Sequence, residues 1–145
     1  MVNARIDTTK DFDGNTVVHA CFDLTEGDAA ASAHVVGAVR ADRFRNAEMS
    51  ADDVLEMREL TALADELHAM AAHGAAGSLV LAPARLTALR HALESFVVSR
   101  DEAEWMREED REPLAAARTL LWPVADLCQD ALRAALAAGS EAHTS

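Results

Sequence analysis

Through residues 50–139 Leu, Ala, Val and Met recur three and four positions apart, with acidic side chains on the faces between them. A period near 3.6 builds helices, whereas a sheet would need alternation by two, so the bulk of the chain has to be helical. Punctuation then cuts the run into pieces. Ser50 stands where an N-cap belongs, Asp52 and Asp53 follow in the first turn, and Gly74 is placed to end that helix. Its predicted apolar stripe is Val54, Met57, Leu60, Leu63, Ala64, Leu67, Met70 and Ala71. Leu79-Val80-Leu81 reads either as an extended segment or as the lead-in to the next helix. Pro83 suits the first position of that helix, where its missing N–H costs nothing, and Leu86, Leu89, Leu93, Phe96 and Val97 carry the pattern to about residue 98. Ser99-Arg100-Asp101-Glu102 has the form of a capping box and predicts a kink or restart. Pro113 then opens a last helix, Pro123 should bend it, Gly139 should close it, and residues 140–145 form a frayed tail.

The amino-terminal part follows another period. Across residues 15–24, Val18, Ala20, Phe22 and Leu24 fall on one face, and Val17, His19, Cys21 and Asp23 on the other, which is the signature of a strand. Asp13-Gly14-Asn15 just before it supplies hairpin turn chemistry, so residues 3–11 are its predicted partner. Thr25-Glu26-Gly27-Asp28 has capping-box spacing, with Leu24 as a hydrophobic staple, and introduces a helix over about 26–44. Gly37 and the paired Val35 and Val36 keep a third strand within 28–44 open as the alternative. The expected fold is therefore α+β and mainly helical. An amino-terminal β-hairpin, with three strands if that alternative holds, packs on an antiparallel cluster of about four helices in one domain, residues 1–139.

At 145 residues such a domain can bury a core without disulfides or metal. No apolar run approaches the roughly 20 residues of a membrane span, and the amino terminus lacks the pattern of a signal peptide, so a cytoplasmic location is the expectation. A single lysine beside abundant Arg and Ala fits a high-GC bacterial source. The net charge is −12, of which residues 50–112 carry −8. That sign repels phosphate backbones and anionic membranes, which argues against direct nucleic-acid or membrane binding and for a partner with a basic surface.

Candidate chemistry is sparse. Cys21 and Cys128 sit far apart with no CxxC and read as free thiols in the interior. His19 and Cys21 share a strand face, but two ligands do not make a metal site. Asp65, Glu66 and His68 on one helix and His91 and Glu94 on the next read as salt-bridged surface. The loop at residues 74–78 lacks the ending of a phosphate loop, and no nucleophile elbow is present. The reading leans away from an enzyme and expects neither cofactor nor metal.

Residues 99–112, SRDEAEWMREEDRE, are the most individual stretch. Trp105 and Met106 lie among seven acids and three arginines, the composition of an apolar hot spot with a charged rim. Asp101, Glu102, Glu104, Glu108, Glu109 and Asp110 would steer a partner toward Trp105. Trp122, flanked by Leu120, Leu121 and Val124, reads as core. The function expected is a non-catalytic adaptor or regulator that binds another protein or itself, with a homodimer as one form of self-association. One alternative is a small-molecule sensor or carrier with an apolar pocket between helices lined by Leu93, Phe96, Leu121 and Trp122. The other is a nucleic-acid mimic that inhibits a basic partner.

Overall fold

Asp11 shapes the first turn. Its Oδ1 accepts hydrogen bonds from the backbone N–H groups of Asp13 (2.9 Å) and Asn15 (2.8 Å), and Gly14 takes a left-handed φ of +83°. In the computed structural model, which describes residues 4–45, 50–73, 77–102 and 105–143 with side chains through residue 137, this turn joins β1 (Ala4–Lys10) to β2 (Thr16–Leu24). The two strands pair antiparallel from Ala4 opposite Phe22 to Lys10 opposite Thr16. β3 (Gly77–Leu81) adds to the other edge of β2, with Ala20 opposite Leu81 and Leu24 opposite Gly77. The third strand is thus the short run 77–81, and residues 28–44 are helical.

That choice has a physical cause. α1 (Glu26–Phe44) is capped by Thr25, whose Oγ1 accepts from the Asp28 N–H at 3.1 Å. Val35 and Val36 are both fully buried on it, so packing overrides their preference for strands. α2 (Ala51–Ala72) carries the complete reciprocal capping box between Ser50 and Asp53. Met57, Leu60, Leu63, Ala64 and Leu67 bury as its stripe predicts, whereas Val54 is exposed near the helix start. Gly74 lies outside the described residues.

α3 (Pro83–Asp101) begins at Pro83 as expected and runs through Ser99 without a break. Ser99 is not a cap: its hydroxyl donates back to the Phe96 carbonyl at 3.1 Å, a bond that mid-helix serines make without interrupting the ladder. α4 (Glu108–His143) starts five residues before Pro113, because Glu108, Glu109 and Asp110 suit the positive end of the helix dipole. Pro123 lies inside α4, where its ring withholds the hydrogen bond due to the Thr119 carbonyl, and the helix continues past it. Gly139 does not stop α4 either. The Ala-rich run around it sustains the helix to His143, and one glycine costs only about 1 kcal/mol relative to alanine.

The inner face of the sheet, Val18, Ala20, Phe22, Leu24, Leu79 and Leu81, packs on the helices and completes a core with Leu60, Leu67, Leu86, Leu93 and Phe96. On the outer face the Cys21 thiol donates to Asp7 Oδ2 at 3.4 Å, and burial followed by the Asp7 carboxylate pushes its pKa up, so it stays protonated. Burial likewise raises that of half-buried Cys128. Ion pairs tie the helices together at the rim. Glu56 of α2 meets Arg43 of α1 (2.8 Å) and His91 of α3 (3.1 Å), and Arg85 of α3 spans Glu59 (2.9 Å) and Glu66 (3.1 Å) of α2. Glu94 pairs with Arg90, so Glu66, His91 and Glu94 make separate contacts that share no common site, whereas Asp65 and His68 have no salt bridge among the described residues. No helix among the described residues is long and apolar enough to cross a membrane.

Two substitutions test these local assignments. Nothing lies within 4 Å of a methyl group placed on Gly37, so Gly37→Ala should raise unfolding free energy by about 1 kcal/mol in urea titrations. Ser50→Ala removes a cap and should lower it by about 1 kcal/mol.

Candidate functional site

The carboxylate of Asp110 is 7 % exposed, the most buried acid among the described residues, and it sits in the first turn of α4. Its two oxygens are bracketed. Oδ1 lies 2.8 Å from Nε2 of His34 on α1, and Oδ2 accepts from Nε of Arg100 on the last turn of α3 at 3.2 Å. Three helices that are remote in sequence are thereby pinned at one point. Phe96, one turn before Arg100 and fully buried, supports both partners of Asp110: the guanidinium lies 4.5 Å from its ring centroid, and the His34 ring meets it edge-on at 6.2 Å. Arg100 reaches on to Asp42 of α1 at 3.7 Å, and its NH1 donates to Ser99 Oγ at 2.9 Å.

Burial alone would push the Asp110 carboxyl up, but the His34 hydrogen bond and the Arg100 charge outweigh it and hold the group below its ordinary 3.8. Asp110 is ionised at neutral pH.

Above this network opens a cleft of about 660 Å³, walled by Ala38, Ala41 and Asp42 of α1, Ser99 and Arg100 of α3, and the connector into α4. Trp105 and Met106 form its apolar lip, Trp105 being 72 % exposed. Arg45, Arg100 and Arg107 face Asp42, Glu109 and Asp110 there, so the formal charges within the cleft balance. The cleft is no anion trap despite its arginines.

Of the residues expected from sequence, the structure gathers Trp105, Met106, Glu109 and Asp110 at this cleft and disperses the others. Asp101 binds Arg118, Glu108 reaches Arg111 at 3.4 Å, and Glu102 lies at the end of α3 beside Val98 and Ser99. Glu104 lies outside the described residues. Asp110 is not a steering charge on the surface, because its side chain turns inward against His34 and Arg100. His34, Asp42 and Arg100 were not foreseen. The one local hint was Phe96 and Arg100 at a four-residue spacing, which stacks a cation over a ring on one helix face.

The apolar pocket expected from Leu93, Phe96, Leu121 and Trp122 does not form. Leu93 and Phe96 are filled core, Leu121 only packs against its edge, and Trp122 is 75 % exposed. Leu120 and Val124 of α4 both bury, and Trp122 stands two residues, about 200°, from each, hence on the opposite side of the helix. The acids that a nucleic-acid mimic would need in rows are, among the described residues, spread over the helices, and Glu56, Glu59, Glu66, Glu94 and Asp110 among them are paired with arginine.

Asp110→Asn should lower stability by about 2–3 kcal/mol, since Arg100 loses a buried counter-charge and His34 a hydrogen-bonded carboxylate, while both keep partial access to water. A depressed native pKa means that the contribution of Asp110 is complete above about pH 4 and is lost as the pH falls through the native value. Urea midpoints measured from pH 7 down to pH 2.5 should therefore fall more for the wild type than for Asp110→Asn. Equal acid sensitivity would refute this role. Comparison with protein-family models, with curated proteins and with solved structures finds no match for the chain, so the site is read from its own geometry.

Proposed function

We propose that this protein is a non-catalytic cytoplasmic adaptor or regulator that captures a basic segment of another protein at the Trp105 cleft. The observation that carries the reading is an indole left 72 % exposed at the mouth of a cleft whose floor is fixed by the His34–Asp110–Arg100 network. A large, rigid aromatic side chain over a preorganised floor gains contact area on binding at little entropic cost. The cleft is itself neutral, so the sign of the partner is set by the −12 charge of the chain, which draws basic surfaces from a distance. Both oxygens of Asp110 are committed to His34 and Arg100, which makes it a support for the cleft and not a free base. A small ligand in the same cleft is the second reading, favoured by a volume within the usual range for ligand pockets.

Affinity capture from the source cell, with the protein as bait, tests the proposal. Trp105→Ala should weaken retention of the specific partner by about 30-fold, the loss typical of an aromatic hot spot. Glu108→Lys combined with Glu109→Lys should slow association and reduce its dependence on salt. Retention unchanged in both variants would remove this surface from consideration. Stabilisation by a small-molecule extract in thermal melts, abolished by Trp105→Ala, would favour the second reading.

A further inference from the structure

Past Ala131, the last buried residue of α4 among the described side chains, only Ala134 packs partly on the core, and α4 continues for a further 12 residues to His143, an arm of about 18 Å. Leu132 and Leu136 on this arm are 61 % and 64 % exposed, and Trp122 is exposed on the same side of the helix. With Ala125, Gln129 and Gly139 they form a run spaced 3, 4, 3, 4 and 3 residues apart, the seam of a coiled coil rather than of a helix packed on its own domain. The core face of α4, marked by Leu120, Val124, Leu127 and Ala131, lies about a third of a turn away, so this seam is separate.

We propose that the seam is covered by a second copy of the chain, the two α4 helices running antiparallel about a twofold axis between Asp130 and Ala131. In that register each seam layer sets a large side chain against a small or slender one. Trp122 faces Gly139 of the other copy, Leu136 faces Ala125, and Leu132 faces Gln129. The solvent-side flank places Asp126 of each copy beside Arg133 of the other, giving two opposite-charge pairs related by symmetry. Both groups are exposed, and Arg133 reaches Asp130 of its own helix only at 3.8 Å, too far for a hydrogen bond. The inner flank brings Cys128 near Ala135, two small groups that let the helices approach.

A parallel pair would instead stack Trp122 on Trp122 and Gly139 on Gly139, with no opposite charges across either flank. The antiparallel pair also lays each arm along the exposed side of the partner's residues 118–129, opposite the face on which Leu120, Val124 and Leu127 wall the core. The cleft at Trp105 is not part of this interface, and the inference stands independently of the reading given to that cleft.

Sedimentation velocity over a dilution series tests the pairing, with far-UV circular dichroism confirming that each variant is folded. The wild type should sediment as a dimer. Asp126→Arg and Arg133→Asp should each weaken dimerisation by about tenfold, since two attractive pairs become repulsive. An equimolar mixture of the two variants should regain dimers, because in the antiparallel pair both flanking contacts are then opposite in sign. Gly139→Leu should also weaken the dimer by collision with Trp122, and adding Trp122→Ala in the same chain should relieve it. A wild type that stays monomeric at hundreds of micromolar, or single charge variants that weaken the dimer without rescue on mixing, would overturn the proposal.

Discussion

A carboxylate with almost no access to water has to be compensated, and the rest of this structure is arranged around how Asp110 meets that condition. Transfer of an ionised group into the protein interior costs several kcal/mol unless opposite charge and hydrogen bonds replace its water. Arg100 supplies the opposite charge, both His34 and Arg100 supply hydrogen bonds, and each comes from a different helix. The compensation can be met only when α1, α3 and the start of α4 are docked together. An ion pair of this kind adds little net stability, yet it discriminates strongly between the correct docking and near alternatives. The connector that holds Trp105 and Met106 ends at this pin, and the cleft keeps its shape because its floor cannot shift without exposing or stranding a charge.

Elements governed by local chemistry could be read directly from the sequence. The hairpin turn at Asp11 to Asn15, the caps at Thr25 and Ser50, and Pro83 at the head of α3 all depend on residues within four positions of each other. Ser99 shows the limit of that logic, since a serine followed three residues later by an acid has the spacing of a capping box. Only the burial of Phe96, Val97 and the Arg100 stem decides that the helix passes through it. β3 was ambiguous for a similar reason. Three apolar residues have no period, and Leu79 and Leu81 become a strand because β2 offers them an edge.

The candidate site was half visible. Trp105 and Met106 stood out because large apolar residues among seven acids have no place in a solvated helix, and the structure puts both at the lip of the cleft. The floor was hidden, since His34 and Asp110 are 76 residues apart and nothing near either announces the other. By charge alone every acid of residues 99–112 belongs on the surface. The acid that matters most for the geometry of the cleft is the one that turned inward, and the burial that conceals it from a reading of composition also gives it structural leverage.

α4 draws these constraints together, because three different demands fall on successive parts of one helix. Its first turn must hold an anion, and Glu108, Glu109 and Asp110 place negative charge where the dipole favours it. Its middle must wall the core, which Leu114, Leu120, Val124 and Leu127 do on a single face. Beyond Ala131 only Ala134 still touches the core, and a helix selected only for solubility would otherwise turn polar. Instead Leu132 and Leu136 persist in the spacing of Trp122, Ala125 and Gln129, while the charged Asp126 and Arg133 keep to the neighbouring flank. Apolar residues that cannot reach their own core, arranged in the period of a coiled coil and with large residues offset from small ones, match a helical partner of the same sequence better than they match water.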